Sequence, residues 1–200
     1  ATGVIRDFPQ FYEWYSIKKY TYNNITQHNR NKLLWRDEYV DGLKTGHTDS
    51  AGYCLVSSAK REDMRLVAVV MGTSGENARA QESQKLLNFG FRFYETHHLY
   101  QSDQVLKEIR IWKGISETLP LGLNREMYVT IPRGQYSELE ASLSVNRDIV
   151  APASKGQEFG TVSVQLGEET LAEQPLVALQ SVAEGGLWQR LMDDIMLWFH

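Results

Sequence analysis

The 200-residue sequence has little cysteine, no long apolar run and no cluster of basic residues. Its single cysteine, Cys54, excludes an internal disulfide, and because it lies in an apolar strand-like run we predict that it packs in the core. No apolar run approaches the roughly 20 residues that a membrane-spanning helix needs. The net charge of −4 and the lack of a basic run argue against a nucleic-acid-binding surface.

What is present is an ordinary globular composition, with 42% hydrophobic and 23% charged residues. This length and balance allow one domain or two small ones. The adjacent residues His97 and His98 do not suggest a metal site, because neighbouring side chains diverge in a regular element, and no other group of His, Cys or carboxylate residues has metal-site spacing. We therefore predict that residues 96–98 form a linker and that the protein needs neither metal nor cofactor.

The most informative stretch is Val40–Asp49, which contains the triplet Lys44-Thr45-Gly46. Two strand-like runs follow it, AGYCLVSSA at 51–59 and MRLVAVVM at 64–71, separated by the polar residues 60–63. This pattern predicts a hairpin, and with the triplet strand it predicts a three-stranded antiparallel unit. The triplet then lies on an exposed strand beside which a substrate can bind.

The residue types of the triplet suit the recognition of a carboxylate. The Lys44 ammonium supplies a compact positive charge, and the Thr45 hydroxyl can donate a hydrogen bond. Gly46 has no side chain, so a substrate backbone can approach the strand. The backbone N–H of His47 can then point at a developing oxyanion. The alternative interpretation is a solvated strand end that contains a lysine by chance.

The residues around the triplet resemble those of the D-alanyl-D-alanine carboxypeptidases, which are low-molecular-mass penicillin-binding proteins. In that family the triplet is the third motif, after Ser-x-x-Lys and Ser-x-Asn. The resemblance extends from about the first residue to the last. It is carried by VDGLKTGHTDSAGYCLVSSA at 40–59 and by shorter segments, at 29–35, 82–87, 90–93, 128–134 and 174–177.

The resemblance implies an α+β fold in three parts. Residues 1–95 would be the C-terminal part of a penicillin-binding or β-lactamase-like transpeptidase domain. Residues 96–182 would be a small all-β, sandwich-like domain, in agreement with the alternating apolar and polar positions there. Residues 183–200 would be an amphipathic, membrane-associating helix.

Within the first part, the pattern also predicts individual elements. Residues 4–16 indicate a short aromatic helix, and Tyr20–Ile25 a short strand. A longer helix is predicted from Glu76 to Glu95. Its buried face is predicted to contain the apolar positions Leu86, Leu87, Phe89, Gly90, Phe93 and Tyr94.

The resemblance also assigns roles to site residues. Lys44, Thr45 and Gly46 would bind the terminal carboxylate of the substrate, and Arg79, in the first turn of the long helix, would assist. The N–H of His47 would be an oxyanion donor, whereas its imidazole is not expected to act as a base. For Arg79 a second interpretation stays open, a surface arginine paired with Glu76 or Glu82.

The first two family motifs have no acceptable counterpart. Ser16 with Lys19 and Ser57 with Lys60 have the Ser-x-x-Lys spacing, but the motif needs a serine at the start of a buried helix. Ser16 ends a helix and Ser57 lies in a strand. Ser144-Val145-Asn146 comes after the triplet instead of before it. We therefore expect a C-terminal fragment that is inert alone, and we expect that the N-terminal part of its parent is absent.

The parent activity implied by the resemblance is removal of the terminal D-alanine from peptidoglycan pentapeptides through an acyl-serine. The pentapeptide and β-lactams would be its ligands once the missing part is present. Two alternatives stay open: a non-enzymatic, membrane-peripheral interaction module, and a β-lactamase-type hydrolase, which would have little use for a β domain or a membrane-binding tail.

The tail at 186–200 is amphipathic. One arginine and two aspartates give it a formal charge of −1, so apolar burial must drive any membrane binding. A helix of this length is about 21 Å long, too short to span a bilayer. It can lie in the membrane interface or pack on its own domain or a partner. The resemblance favours the periplasmic face of the bacterial inner membrane. Its apolar residues are Leu187, Trp188, Leu191, Met192, Ile195, Met196, Trp198 and Phe199.

Overall fold

The computed structural model describes residues 1–146 and 148–197, without the side chains of 195 and 197. The chain forms two compact units, Ala1–Glu95 and Thr96–His200. Both units combine antiparallel sheets with few helices, which confirms the α+β prediction.

The first unit begins with short helical segments in place of the one predicted helix. They are α1 (Thr2–Asp7), α2 (Pro9–Tyr12) and a 3-10 turn (Glu13–Ser16). The break lies at Phe8, whose φ of −135° is not helical, because a residue that precedes proline is disfavoured in the α region.

A small hairpin follows where one strand was predicted. Its strands are β1 (Lys19–Tyr22) and β2 (Ile25–His28). They are joined through Asn23 and Asn24, which both have positive φ, as a tight hairpin turn of this handedness requires. The short helix α3 (Leu33–Arg36) comes next and buries its two leucines.

The predicted three-stranded antiparallel sheet is present. Its strands are β3 (Val40–Thr48), β4 (Gly52–Arg61) and β5 (Met64–Thr73), in the order β3-β4-β5. The β4–β5 turn is two residues long instead of the predicted four, and Glu62 within it has a φ of 51°. Because β3 is at one end of the order β3-β4-β5, the triplet lies on an edge strand.

The long helix α4 (Glu76–Phe93) packs on this sheet through only part of the predicted face. Leu87 is buried and Gly90 lies against the sheet as predicted, whereas Leu86, Phe89, Phe93 and Tyr94 are 38–55% exposed. Gly90 explains the rotation, because a Cβ there would lie 2.5 Å from the Leu66 side chain, so the helix approaches β5 closely. The buried stripe is Arg79, Ala80, Ser83, Leu87 and Phe91.

In its described residues the second unit contains seven strands. A five-stranded sheet has the order β10-β11-β12-β8-β7, and β6 pairs with β9. Their bounds are β6 (Tyr94–Tyr100), β7 (Val105–Arg110), β8 (Thr118–Gly122), β9 (Met127–Pro132), β10 (Leu139–Val145), β11 (Glu158–Leu166) and β12 (Glu169–Ala178). Residues 96–98, predicted as a linker, lie in β6 instead.

The core of the second unit lies between the two sheets. The alternate β9 residues Met127, Val129 and Ile131 are buried, and they belong to one cluster with residues of β8, β11 and β12. This is the expected sandwich-like packing. The unit ends with α5 (Leu187–Leu197). In the part of the chain that the structure describes, no helix is long and apolar enough to cross a membrane.

Candidate functional site

An open groove of about 580 Å³ follows the triplet part of β3. Lys44, Thr45, Gly46 and His47 line it, and Arg79 reaches it from α4. Lys44, Gly46 and His47 are exposed and Thr45 is half-buried. The triplet is therefore accessible from solvent along the edge of the sheet.

The outer edge of β3 is open to an added strand. In the described part of the first unit β3 pairs only with β4, where Gly46 lies opposite Cys54. A Cβ built on Gly46 would meet nothing closer than the Cys54 Cβ at 3.9 Å. The chain itself thus has room for a side chain at Gly46, and the glycine keeps the groove side of the strand free for an extended ligand.

Lys44 and His47 contact their own strand pair. The Lys44 Nζ donates to the Thr45 carbonyl at 2.6 Å. The His47 ring stacks on Tyr53, with the centroids 3.9 Å apart, and its Nδ1 lies 3.1 Å from the Gly52 carbonyl oxygen. The His47 imidazole is therefore turned toward the β3–β4 hairpin.

Arg79 is buried, with only 3% of its surface exposed. Its guanidinium donates to the Gly46 carbonyl at 3.2 Å and to the Arg30 carbonyl at 3.4 Å, and it lies 5.5 Å from the centre of the Tyr53 ring. Glu76 is 3.9 Å away. The interpretation of Arg79 as a surface residue is wrong, although the predicted pairing with Glu76 is present.

A polar cluster that the sequence analysis missed lies around Asp41, at the start of β3. The Tyr12 hydroxyl donates to Asp41 at 2.6 Å, and Arg65 donates to Asp41 at 2.9 Å and to Ser58 at 2.8 Å. Burial raises the pKa of Tyr12 to about 12, and the hydrogen bond to Asp41 adds to the shift. The sequence feature that could have indicated this cluster is Asp41, a charged residue at the start of the triplet strand.

Asn31 is a second missed support. It is 1% exposed, and its side-chain amide donates to the Gly42 carbonyl at 2.9 Å. Its Oδ1 accepts from the Leu33 N–H at 3.2 Å. Asn31 therefore bonds a backbone carbonyl of β3 and a backbone N–H of α3. These two bonds hold the strand on which the triplet lies beside that helix.

Comparison with known proteins shows similarity in both units of the chain. Residues 1–75 match the model of the D-alanyl-D-alanine carboxypeptidase family, and residues 94–184 match that of the penicillin-binding protein 5 C-terminal domain. The chain is 44% identical over 200 residues to D-alanyl-D-alanine carboxypeptidase DacA of Escherichia coli K12. The chain belongs to the D-alanyl-D-alanine carboxypeptidase family. It is also 42% identical to the family member DacC of the same strain.

The family match covers nearly all of this chain but only part of its relatives. The alignment with DacA includes 99% of the chain and 50% of DacA, so the chain spans about half the length of the relatives it matches. Penicillin-binding protein 5 from Haemophilus influenzae aligns at a TM-score of 0.81 and 40% identity, over 91% of this chain and 54% of that one.

The three serines with family-like spacing lie in unsuitable places. The Ser16 Oγ donates to the Glu13 carbonyl at 2.7 Å at the end of the 3-10 turn. Ser57 lies within β4 and is fully buried. Ser144 lies on β10 in the second unit. None of the three is at the start of a buried helix, which is where this chemistry places its nucleophile.

Proposed function

We propose that this chain is the carboxylate-binding portion of a serine-type D-alanyl-D-alanine carboxypeptidase. The observation that carries the proposal is the open groove on an edge strand, where Lys44, Thr45 and the buried Arg79 surround Gly46. The family membership of the chain supports the same activity. It also favours a carboxypeptidase over a β-lactamase-type hydrolase, because the relatives carry the former name.

In this proposal the groove binds the end of a peptidoglycan pentapeptide. The Lys44 ammonium leaves the Thr45 carbonyl and pairs with the terminal carboxylate, to which the Thr45 hydroxyl also donates. The substrate backbone pairs with the free edge of β3. Arg79 holds the Gly46 carbonyl and adds positive potential behind the strand. The N–H of His47 donates to the oxyanion that forms on the scissile carbonyl.

The attacking serine is proposed to lie outside these 200 residues. The surroundings of Ser16, Ser57 and Ser144 support this, because each lacks the buried helix start that desolvates the neighbouring lysine. Acyl-serine formation, release of D-alanine and acylation by β-lactams would then need further polypeptide. The chain alone would bind the carboxylate end of the substrate without cleaving it.

Two measurements test the site. Titration of the chain with N-acetyl-D-alanyl-D-alanine, followed by NMR, is expected to shift the amide signals of residues 44–47, and Lys44→Gln is expected to reduce the shifts. Lys60→Gln, which removes a lysine of the same sheet away from the groove, is the control. A fluorescent penicillin is expected to leave the chain unlabelled, and covalent labelling at Ser16 or Ser57 would contradict the proposed inertness.

We further propose that α5 binds a bilayer surface, at the periplasmic face of the inner membrane. The support is the exposure of Leu187, Trp188, Leu191 and Met192, each at least 54% accessible. Trp198, Phe199 and the Ile195 side chain, which belong to the predicted apolar set, lie outside the described residues. The same surface is the observation that favours the non-enzymatic alternative, a membrane-peripheral interaction module.

Flotation with liposomes tests the membrane proposal. The chain is expected to float with vesicles, and a version that ends at residue 186 is expected to stay at the bottom. Equal flotation of the two forms would show that α5 is not the binding element.

A further inference from the structure

The helix α5 packs on its domain with the reverse of the usual orientation. Leu187 and Trp188 are 84% and 80% exposed, and Leu191 and Met192 are each 54% exposed. Asp193, by contrast, is only 9% exposed. A surface helix of a globular protein normally turns its apolar stripe inward and its charges outward. Here the buried residue among the described side chains of α5 is the charged Asp193.

A buried carboxylate holds that side to the β domain. The Asp193 Oδ2 accepts from the backbone N–H of Lys113 at 2.6 Å, and its Oδ1 lies 3.6 Å from the Arg110 guanidinium. Arg110 in turn lies 3.8 Å from the centre of the Trp112 ring. The Asp193 carboxylate is therefore stabilised by the Lys113 N–H and by the Arg110 guanidinium, which is held in place by the Trp112 ring.

Lys113 is the centre of a second set of contacts. Its ammonium forms an ion pair with Asp194, and its carbonyl accepts from the Gly185 N–H at 2.7 Å. Lys113 has a φ of 60°, a left-handed conformation that residues with a Cβ rarely adopt. The backbone of Lys113 is thus held from both sides in an uncommon conformation. We call Asp193, Asp194, Arg110 and Lys113 the aspartate clasp.

The clasp fixes the rotation of α5 about its own axis. At 100° per residue, Asp193 lies about 120–160° around the helix from Leu187, Trp188 and Leu191, whereas Asp194 lies about 20° from Leu187, at the edge of the apolar face. Holding Asp193 against the domain therefore leaves the apolar residues outward. We propose that the aspartate clasp orders α5 in advance so that its apolar face is presented to a lipid bilayer. This inference rests on the membrane binding proposed above.

The chemistry of the outward face favours lipid over a protein partner. The exposed residues Leu187, Trp188, Leu191 and Met192 offer no charge, and the Trp188 indole is their one strong hydrogen-bond donor. Protein interfaces carry about one hydrogen bond per 100–200 Å² and need more polar groups than this. A face of large apolar side chains with a tryptophan suits the boundary between head groups and acyl chains.

The clasp raises the affinity for the bilayer by pre-organisation. Without it, α5 can turn and pack its apolar face on its own domain, and that face must be uncovered again before each binding event. The apparent affinity then falls by the fraction of molecules in which the face is outward. The clasp residues themselves need not touch the lipid.

The experiment compares full-length variants in flotation with vesicles of pure phosphatidylcholine, which has no net charge. The change Asp193→Ala removes the buried carboxylate, and Glu168→Ala removes an exposed carboxylate from the turn between β11 and β12 as a charge-matched control. We expect Asp193→Ala to lower the vesicle-bound to free ratio at least about fivefold and Glu168→Ala to leave it unchanged. Asp194→Asn, which removes one ion pair at a half-exposed position, is expected to lower it about twofold.

Hydrogen exchange without lipid separates the clasp from general unfolding. Faster exchange of the α5 amides in Asp193→Ala, with β11 and β12 unchanged, is the expected pattern. If Asp193→Ala also loses protection in β11 and β12, the test is made with Asp194→Asn instead. In that case, a vesicle-bound to free ratio of Asp194→Asn equal to that of the parent chain would overturn the inference.

The remaining outcomes separate this inference from the membrane proposal. If the parent chain floats and Asp193→Ala floats equally well, the clasp inference fails while membrane binding stands. If the parent chain does not float at all, both fail. Self-association of the parent chain that Trp188→Ser abolishes would assign the face to a second copy and overturn the lipid assignment.

Discussion

Two glycines of β3 have opposite reasons for lacking a side chain. A Cβ on Gly42 would lie 2.7 Å from the Tyr12 hydroxyl, whereas one on Gly46 would meet nothing closer than the Cys54 Cβ at 3.9 Å. We expect Gly42→Ala to lower the free energy of unfolding by about 1–3 kcal/mol, because the Tyr12 ring must move from its hydrogen bond with Asp41. Gly46→Ala is expected to change stability by less than about 0.5 kcal/mol.

We expect the variant that keeps its stability, Gly46→Ala, to be the one that loses affinity for the substrate. Gly46→Ala should weaken binding of N-acetyl-D-alanyl-D-alanine, because the added methyl group narrows the groove that Gly46 lines. Urea unfolding and NMR titration on the same samples measure the two effects. A Gly46→Ala variant that binds the dipeptide as well as the parent chain would show that the substrate does not approach this strand.

Tyr12 makes stability depend on pH in the alkaline range. Burial, and then its hydrogen bond to Asp41, raises the pKa of Tyr12 to about 12, so the fold favours the neutral phenol. Since an unfolded tyrosine has a pKa near 10, this stabilisation is complete below about pH 10 and is lost as the pH rises toward about 12. We expect the free energy of unfolding to fall in that window, and to fall less in Tyr12→Phe. Tyr22→Phe, at a 74% exposed position, should behave like the parent chain.

Among the elements, β5 leaves an apolar surface uncovered. Val67, Val69 and Met71 are 39%, 58% and 72% exposed, and in the described part of the chain β5 pairs only with β4. An exposed, apolar edge strand is a template for pairing with another chain. We expect the isolated chain to self-associate, and Val69→Lys to lower the mass seen by light scattering at equal concentration. Gln81→Lys on the exposed side of α4 is the control, and equal masses for the two variants would rule out β5 as the contact.

For the whole molecule, each unit has its own hydrophobic core. One cluster is drawn from residues 33–91 and the other from residues 111–182. Leu121 is fully buried in the second cluster, so Leu121→Ala is expected to lower the stability of the second unit by about 2–5 kcal/mol. Hydrogen exchange should show faster opening in β8, β11 and β12 with unchanged protection in β3–β5. Equal loss of protection in both units would show that they unfold together.

Local pattern was sufficient for much of the fold. The three-stranded sheet, the extent of α4 and the β character of the second unit follow from alternation and turn residues, which act between neighbours in sequence. The site triplet was recognised for the same reason, since Lys44, Thr45 and Gly46 are adjacent and their chemistry depends only on an exposed strand. Residues 96–98 were misread because two histidines and a threonine have no strong local preference.

The sequence by itself determined which family the chain belongs to and that the triplet Lys44-Thr45-Gly46 lies in a three-stranded antiparallel sheet. Only the tertiary structure decided which side of a helix is covered. The helix α4 has apolar residues around much of its circumference, and the close approach of Gly90 to Leu66 selects the buried side. Arg79 is buried because carbonyls of Arg30 and Gly46 come together around it. Asp193 turns inward because Lys113, 80 residues earlier, offers its backbone N–H. Such partners meet only when the chain folds, so no local pattern specifies them.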